Sequence, residues 1–379
     1  MSVVLLILGL LLFVGLVVLH EFGHFIAARR NGVEVEEFGI GFPPRAWSRK
    51  TKRGFVFSLN WLPIGGFVKL KGENDSATEK GSFGAASFST KTKIMLAGVG
   101  MNLLAAFAIF TALAWIGMPQ ILDNQFSVKS DTKVVQRELL VGYVEPGSPA
   151  DKGGLEPRDK LFGFIDASSS FKQLGPDGRE VLTPFGSAAQ LPSITKAHAG
   201  KPLTIVYERG GERREANVVL RSHEEAKGSA YLGMSPAEFT ITRATWSAPV
   251  QSVGLIGQIT AATFKGLGTA ISALFQGDTA KASEQVSGPV GIVVALKDGS
   301  LLGLQFVLLI IGIISLSLAI MNVLPIPALD GGRFYVMLLS RLFGKRLSQD
   351  MEERIVGSSF IFLLILIVLI TIVDVRRFF

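Results

Sequence analysis

Residues 1–30 read MSVVLLILGLLLFVGLVVLHEFGHFIAARR. Met1 to Leu19 carries no charge, and roughly 20 apolar residues are what a helix needs to cross a bilayer. His20-Glu21-Phe22-Gly23-His24 follows at once, an HExxH pattern at the end of an apolar span. On a helix, positions i and i+4 share a face, so both imidazoles can reach one metal ion. Glu21, next to the first histidine, is placed to take a proton from a metal-activated water. Two histidines and a carboxylate at membrane depth are costly unless they serve a purpose. A signal peptide is excluded by the missing basic start and by helical periodicity that runs on to Arg29.

Composition agrees with a membrane protein. The 379 residues are 48% hydrophobic and only 18% charged, with a mean hydropathy of +0.42. A soluble chain carries about 25% charge. Cysteine is absent, which excludes disulfide scaffolds, Cys-ligated zinc and cysteine nucleophiles. Three more spans are expected at about Ile94–Met118, Leu301–Leu324 and Ile355–Val373. The net charge is +7, and residues 25–93 hold twelve basic against six acidic residues. Between two spans that bias marks a cytoplasmic loop rather than a nucleic-acid groove, and no nucleic acid is expected as a partner.

The expected architecture is a polytopic α-helical membrane protein with four transmembrane helices, a membrane-associated β-loop and an inserted α/β domain. The first helix occupies residues 1–30, a cytoplasmic-side β-loop 31–93, and the second helix 94–118. The insert follows at 119–240 and an amphipathic connector at 241–300. The third helix and its closing motif take 301–330, a cytoplasmic-side loop 331–354, and the fourth helix 355–379. In the β-loop, strands are expected at Val33–Gly39, Gly54–Asn60 and Gly66–Lys71. Its apolar residues (Phe38, Phe42, Phe55, Trp61, Phe67) suit a segment dipping into the membrane, shielded by protein. In the insert, strands are expected at Leu139–Val144, Lys160–Ile165, Leu203–Glu208 and Glu215–Leu220, with a helix near Ser187–His198. Turn signals separate them, Gly175-Pro176-Asp177-Gly178 among them. Residues 245–277 read as one amphipathic helix or a pair.

Catalytic zinc takes three protein ligands and an open position. His198 and His223 lie in the insert and are poor candidates. Asp330 is the better one, in Asn322-Val323-Leu324-Pro325-Ile326-Pro327-Ala328-Leu329-Asp330-Gly331-Gly332. Spans one and three run in the same direction, so their C-terminal ends share a side. The prolines break the helix and let the chain bring a carboxylate back. Read alone, Asp330-Gly331 is only a turn.

HExxH in the first span together with N-x-x-P-x-P-x-L-D-G at the third resembles the double signature of site-2 proteases, which are intramembrane zinc metalloproteases. The likeness is closest to the RseP-like bacterial branch, with four spans and a PDZ insert. It implies Zn²⁺ as cofactor, His20, His24 and Asp330 as ligands, and Glu21 as catalytic base. It also implies that the β-loop, at Gly65, Gly66 and Phe67 above all, presents an edge to an unwound substrate. Asn322 is a candidate for holding the substrate backbone. Gly98-Val99-Gly100-Met101-Asn102 stands where the family often shows G-P-x-x-N. The proline is replaced, and Asn102 is a candidate for substrate contact or for an interhelical hydrogen bond. Ser287-Gly288-Pro289-Val290-Gly291 resembles the family's SGP segment and reads as structural. The insert resembles a single PDZ domain through Val144–Ala150 and Gly153–Leu161, with Arg158 where a glycine is usual.

The resemblance implies the bacterial cytoplasmic (inner) membrane, with the insert outside and the active site towards the cytoplasm. Implied partners are the lipid bilayer, single-span substrates such as anti-sigma factors or remnant signal peptides, and a peptide or chain-end ligand of the PDZ-like insert. The rival readings are a non-catalytic PDZ-bearing scaffold with a structural metal site, and a metal transporter.

Overall fold

The computed structural model describes residues 2–73, 77–166, 182–227, 229–344 and 348–379. The expected turn at 175–178 lies outside the described residues. The chain divides into two compact units. One comprises Met1–Met118, Asn124–Thr132 and Ala244–Phe379, the other Pro119–Asp123 and Lys133–Arg243.

The first unit begins with α1 (Ser2–Arg30), whose HExxH is helical throughout. At 1.5 Å per residue, Glu21 lies about 28 Å along the axis from Ser2, one hydrocarbon thickness. Strands β1 (Val35–Lys50) and β2 (Val56–Leu70) follow, then α2 (Phe88–Ile116). Ser87 caps α2 by accepting from the Thr90 N–H, and Gly117, at φ 142°, ends it. The helix thus starts before the apolar run at Ile94, because its first turns are polar and hydropathy does not register them.

The short strand β3 (Met118–Pro119) ends this part of the chain. In the second unit come β4 (Lys133–Val144), α3 (Pro149–Lys152), β5 (Lys160–Asp166), β6 (Thr183–Pro184) and α4 (Leu191–Ala197). They are followed by β7 (Pro202–Arg209), β8 (Glu212–Val219), α5 (His223–Ala226) and β9 (Met234–Arg243). These strands order as β9-β4-β5-β7-β8, antiparallel, with β6 on β5. Leu139, Val141, Leu161, Phe164, Ile205 and Val218 fill the core beneath. β9 was not expected: in MSPAEFTITR only Phe239-Thr240-Ile241-Thr242 alternates, and Pro236 interrupts the first half. Arg158 adopts φ 78°, the left-handed region that costs a side-chain-bearing residue about 1–2 kcal/mol. Its neighbour Asp159 is buried and accepts from Arg209 through both oxygens at 2.7 Å.

The chain returns to the first unit with α6 (Ala248–Phe275), α7 (Thr279–Glu284), α8 (Pro289–Leu302), α9 (Leu304–Val323), α10 (Asp330–Leu342) and α11 (Gln349–Phe378). The amphipathic stretch at 245–277 is therefore a single helix. One of its glycines, Gly254, makes room for the Phe126 ring. The third apolar stretch is cut at Gly303 (φ 116°), so α9 begins at Leu304 and α8 stands apart. A helix, α10, occupies part of the expected loop at 331–354. Among the described residues, four helices are long and apolar enough to cross a membrane: Ser2–Arg30, Phe88–Ile116, Leu304–Val323 and Asp350–Phe378.

Small residues bring these helices together. Gly9 of α1 receives Leu296 of α8 and Val307 of α9, and Gly312 of α9 receives the Phe110 ring of α2. Asp374 of α11 is 1% exposed, and its Oδ2 accepts from the Gly288 and Gly291 N–H groups at 2.9 and 2.8 Å. The first turn of α8 has no side-chain cap of its own, so a carboxylate from a distant helix fills that place.

β1 and β2 each bend, and β1 pairs with β2 along both of its edges. Phe38 opposes Val68 on one side and Phe57 on the other, and Ile40 likewise opposes Gly66 and Leu59. Trp47 to Lys50 pair back onto Val56 to Leu59. The sheet is therefore four segments wide, ordered 66–70, 37–40, 56–59 and 47–50. The segment 66–70 is one of its two edges.

Candidate metal centre

α1 and α2 pack through glycine. A Cβ on Gly23 would meet Ala97 O at 2.5 Å, and one on Gly98 would meet His24 Nε2 at 2.4 Å and His20 Cε1 at 2.6 Å. Both imidazoles thus press against a helix surface that has no side chain at that point, with their planes 80° apart. His24 Nδ1 is 2.7 Å from Ile94 O. A carbonyl only accepts, so Nδ1 carries the proton and Nε2 presents a lone pair. Asn102, fully buried, places its amide 3.3 Å from His20 Nδ1.

Asp330 arrives from the other end of the unit. α9 stops at Val323, Pro325 and Pro327 prevent its continuation, and α10 starts at Asp330 itself. Gly331 and Gly332 pack on the preceding turn so closely that a Cβ would stand 2.3 Å from Val323 O and 1.9 Å from Ile326 O. Only glycine permits this return, and it delivers the carboxylate to the histidines. Asp330 Oδ2 lies 3.0 Å from His20 Nε2 and 3.2 Å from His24 Nε2, and the two Nε2 atoms are 3.1 Å apart.

These three atoms form a nearly equilateral triangle. Asp330 Oδ2 is buried yet receives no hydrogen bond of good geometry from either ring. Ligand atoms about 2.0–2.1 Å from a tetrahedral zinc ion stand roughly 3.3 Å apart. The donor set, the spacing and the unsatisfied oxygen together fit a divalent ion such as zinc, and His20, His24 and Asp330 are the residues that can hold one.

Glu21 lines a cavity of about 140 Å³ with His24, Val68, Leu70, Glu73, Asp330 and Arg333. A larger cleft of about 510 Å³ in the same unit, beside Lys91 and Arg341, contains none of the ligand-type residues. A Cβ on Gly66 would be 3.6 Å from Glu21 Cγ, so the sheet edge at 66–70 runs beside the expected base. Gly65 (φ +93°) abuts Phe42 and Val17, and Phe67 packs its ring over Gly39.

The other expected residues stand elsewhere. Asn322 donates to Leu318 O at 3.0 Å in its own helix and is not part of the cavity lining. Asn102 has no exposed surface; it sits behind His20 rather than in the cavity. His198 accompanies Asp166, and His223 accompanies Tyr231, both in the second unit. Gly98 and Arg333 were missed by sequence reasoning. Arg333 has no local signal, whereas Gly98 lies one turn before Asn102 on the same helix face and was readable in principle.

The family model described as Peptidase family M50 matches residues 8–366. The chain is 30% identical to a Clostridium perfringens protein named "Putative zinc metalloprotease", over 97% of this chain and 98% of that one. It is 29% identical to a Fusobacterium nucleatum protein of the same name, over 98% and 97%. It is 24% identical to "Probable protease eep" of Enterococcus faecalis, over 96% and 97%.

Proposed function

Since this chain belongs to peptidase family M50, a family of metalloproteases, we propose that it is an intramembrane zinc endopeptidase that cuts single-span membrane proteins. The observation that carries the reading is the triangle of His20 Nε2, His24 Nε2 and Asp330 Oδ2 beside Glu21, at the end of a bilayer-length apolar helix. Bound zinc supplies Lewis acidity, which makes water acidic near neutral pH and polarises a carbonyl. Glu21 takes the proton of the attacking water and passes it to the leaving amine.

His24 is held in the ligating tautomer by Ile94 O. Asn102 does the same for His20 once its amide is turned over: Nδ2 stands 3.3 Å from His20 Nδ1 while Oδ1 has no partner, and exchanging the two lets Oδ1 accept the Nδ1 proton and leaves Nε2 free. This assigns Asn102 to ligand orientation instead of substrate contact. The edge at Gly66–Leu70 suits an unwound substrate strand, because a helical substrate must expose its amides before it can be cut. Asn322 supports that strand from the end of α9.

The second unit is read as a PDZ-like module that takes a chain end or screens substrates by size. Its place is outside the bacterial inner membrane, with the metal centre towards the cytoplasm, in keeping with the basic 25–93 loop. Anti-sigma factors and remnant signal peptides are the proposed substrates, in regulated intramembrane proteolysis.

The test is cleavage of a single-span model substrate by purified protein in detergent, for wild type and Glu21→Gln, with metal content measured on both. The expected result is that Glu21→Gln retains metal while cleavage falls by about 10²–10⁴-fold. If both variants capture a partner through the second unit and neither cuts any of several substrates, the protease reading fails.

A further inference from the structure

Arg333 lies three residues after Asp330, so the two share a face of α10. It lines the 140 Å³ cavity beside Glu21, Glu73 and Asp330, where it is the one Lys or Arg among the described lining residues. Its Nη2 donates to Glu73 O at 3.2 Å. Its Nε is buried and, among the described residues, has no hydrogen-bond partner. A buried donor left unpaired is costly, and in a native structure it calls for a reason. Bracing the Glu73 backbone uses Nη2 alone and leaves Nε without a role.

We propose that Arg333 is the carboxylate-binding residue of this cavity, and that it receives the acid end formed when a peptide bond is cut. The choice of reaction rests on the protease reading; the carboxylate site does not. In hydrolysis the C–N bond breaks and water's oxygen bonds to the carbonyl carbon. Both water protons end on the leaving nitrogen, which becomes an ammonium group, and the carbonyl carbon ends as a carboxylate. The substrate's carbonyl is neutral and the group that replaces it is anionic. A guanidinium therefore binds the cut product more strongly than the intact substrate. The fork of Nε and one Nη matches two carboxylate oxygens, whereas a lysine offers only a point charge. Val68, Leu70, Phe83, Ile94 and Met95 form the apolar part of the lining and keep that charge pair from being fully solvated.

The probes are N-acetylglycine and N-acetylglycinamide, which differ only in the terminal carboxylate. Their binding to the full chain in detergent is measured by saturation-transfer NMR, with and without metal, for wild type, Arg333→Gln, Arg333→Lys and Glu21→Gln. Thermal unfolding of each variant reports its folding. Wild type is expected to prefer the acid by about tenfold or more, in the metal-free protein too. Arg333→Gln abolishes that preference, and Arg333→Lys retains part of it. A structural brace would change both probes alike and leave the ratio unmoved. The proposal is overturned if wild type shows no preference without metal, or if a folded Arg333 variant keeps the full ratio. Cleavage of a single-span substrate, measured alongside on wild type, separates the two claims: preference without cleavage defeats the protease reading alone, and cleavage without preference defeats the Arg333 site alone.

Discussion

Gly98 stands against His24: a Cβ at position 98 would lie 2.4 Å from His24 Nε2, with His20 Nδ1 only 2.8 Å away. The ligand-bearing face of α1 is thus moulded on a bare stretch of α2, and the histidines owe their directions to it.

Gly98→Ala is expected to displace both rings while leaving α2 helical, since alanine favours helix. Metal affinity should fall by about 10–100-fold, the range seen when the surroundings of a metal ligand are disturbed. Competition with a chromogenic chelator measures it, and circular dichroism reports the helix content. Unchanged affinity would mean that the rings are not shaped by this contact.

Asn102 distinguishes an acceptor from mere packing. Asn102→Asp keeps an oxygen for the His20 Nδ1 proton and is expected to hold metal within a few-fold of wild type. Asn102→Leu offers none and should lose about 10–100-fold. The same chelator titration reads both, and equal losses would show that the interaction is not an acceptance by Asn102.

Gly332→Ala tests the return of the chain to the site. The new methyl would stand 1.9 Å from Ile326 O, a backbone atom that cannot swing aside. Overpacking of this kind costs about 1–3 kcal/mol. A lower thermal midpoint in detergent and weakened metal binding should appear together, because the strain falls on the segment that carries Asp330.

Asp374→Leu removes the acceptor for the Gly288 and Gly291 N–H groups and leaves two buried donors unpaired. Each unpaired donor costs about 1–3 kcal/mol, so destabilisation of several kcal/mol is expected, and Asp374→Asn should recover part of it. Unfolding in detergent measures the difference. Metal content in the folded fraction should stay unchanged, since α11 supplies no residue to the metal centre.

Local regularities were legible without coordinates. An apolar run of membrane length and two histidines four apart in a helix depend only on neighbours in the chain. So does the break at Pro325 and Pro327. Interior hydrophobic runs such as Leu139–Val144 and Leu203–Glu208 also announced their strands, which lie in β4 and β7. The segment 45–50 did not: its residues are exposed and polar, so no alternating pattern marks the fourth segment of the sheet.

What required the tertiary structure is whatever joins distant residues. Asn102 and His20 are 82 positions apart, and no periodicity says which atom of one faces which atom of the other. The return of Asp330 was foreseeable as a direction. Its 3.0 Å approach to His20 depends on Gly331 and Gly332 meeting the backbone at 323–326. Arg333 has meaning only because packing buries its Nε and brings the residue into the same cavity lining as Glu21 and Asp330. Secondary structure follows from short-range sterics and hydrophobic period, whereas a site follows from long-range packing, in which a missing Cβ matters as much as a side chain that is present.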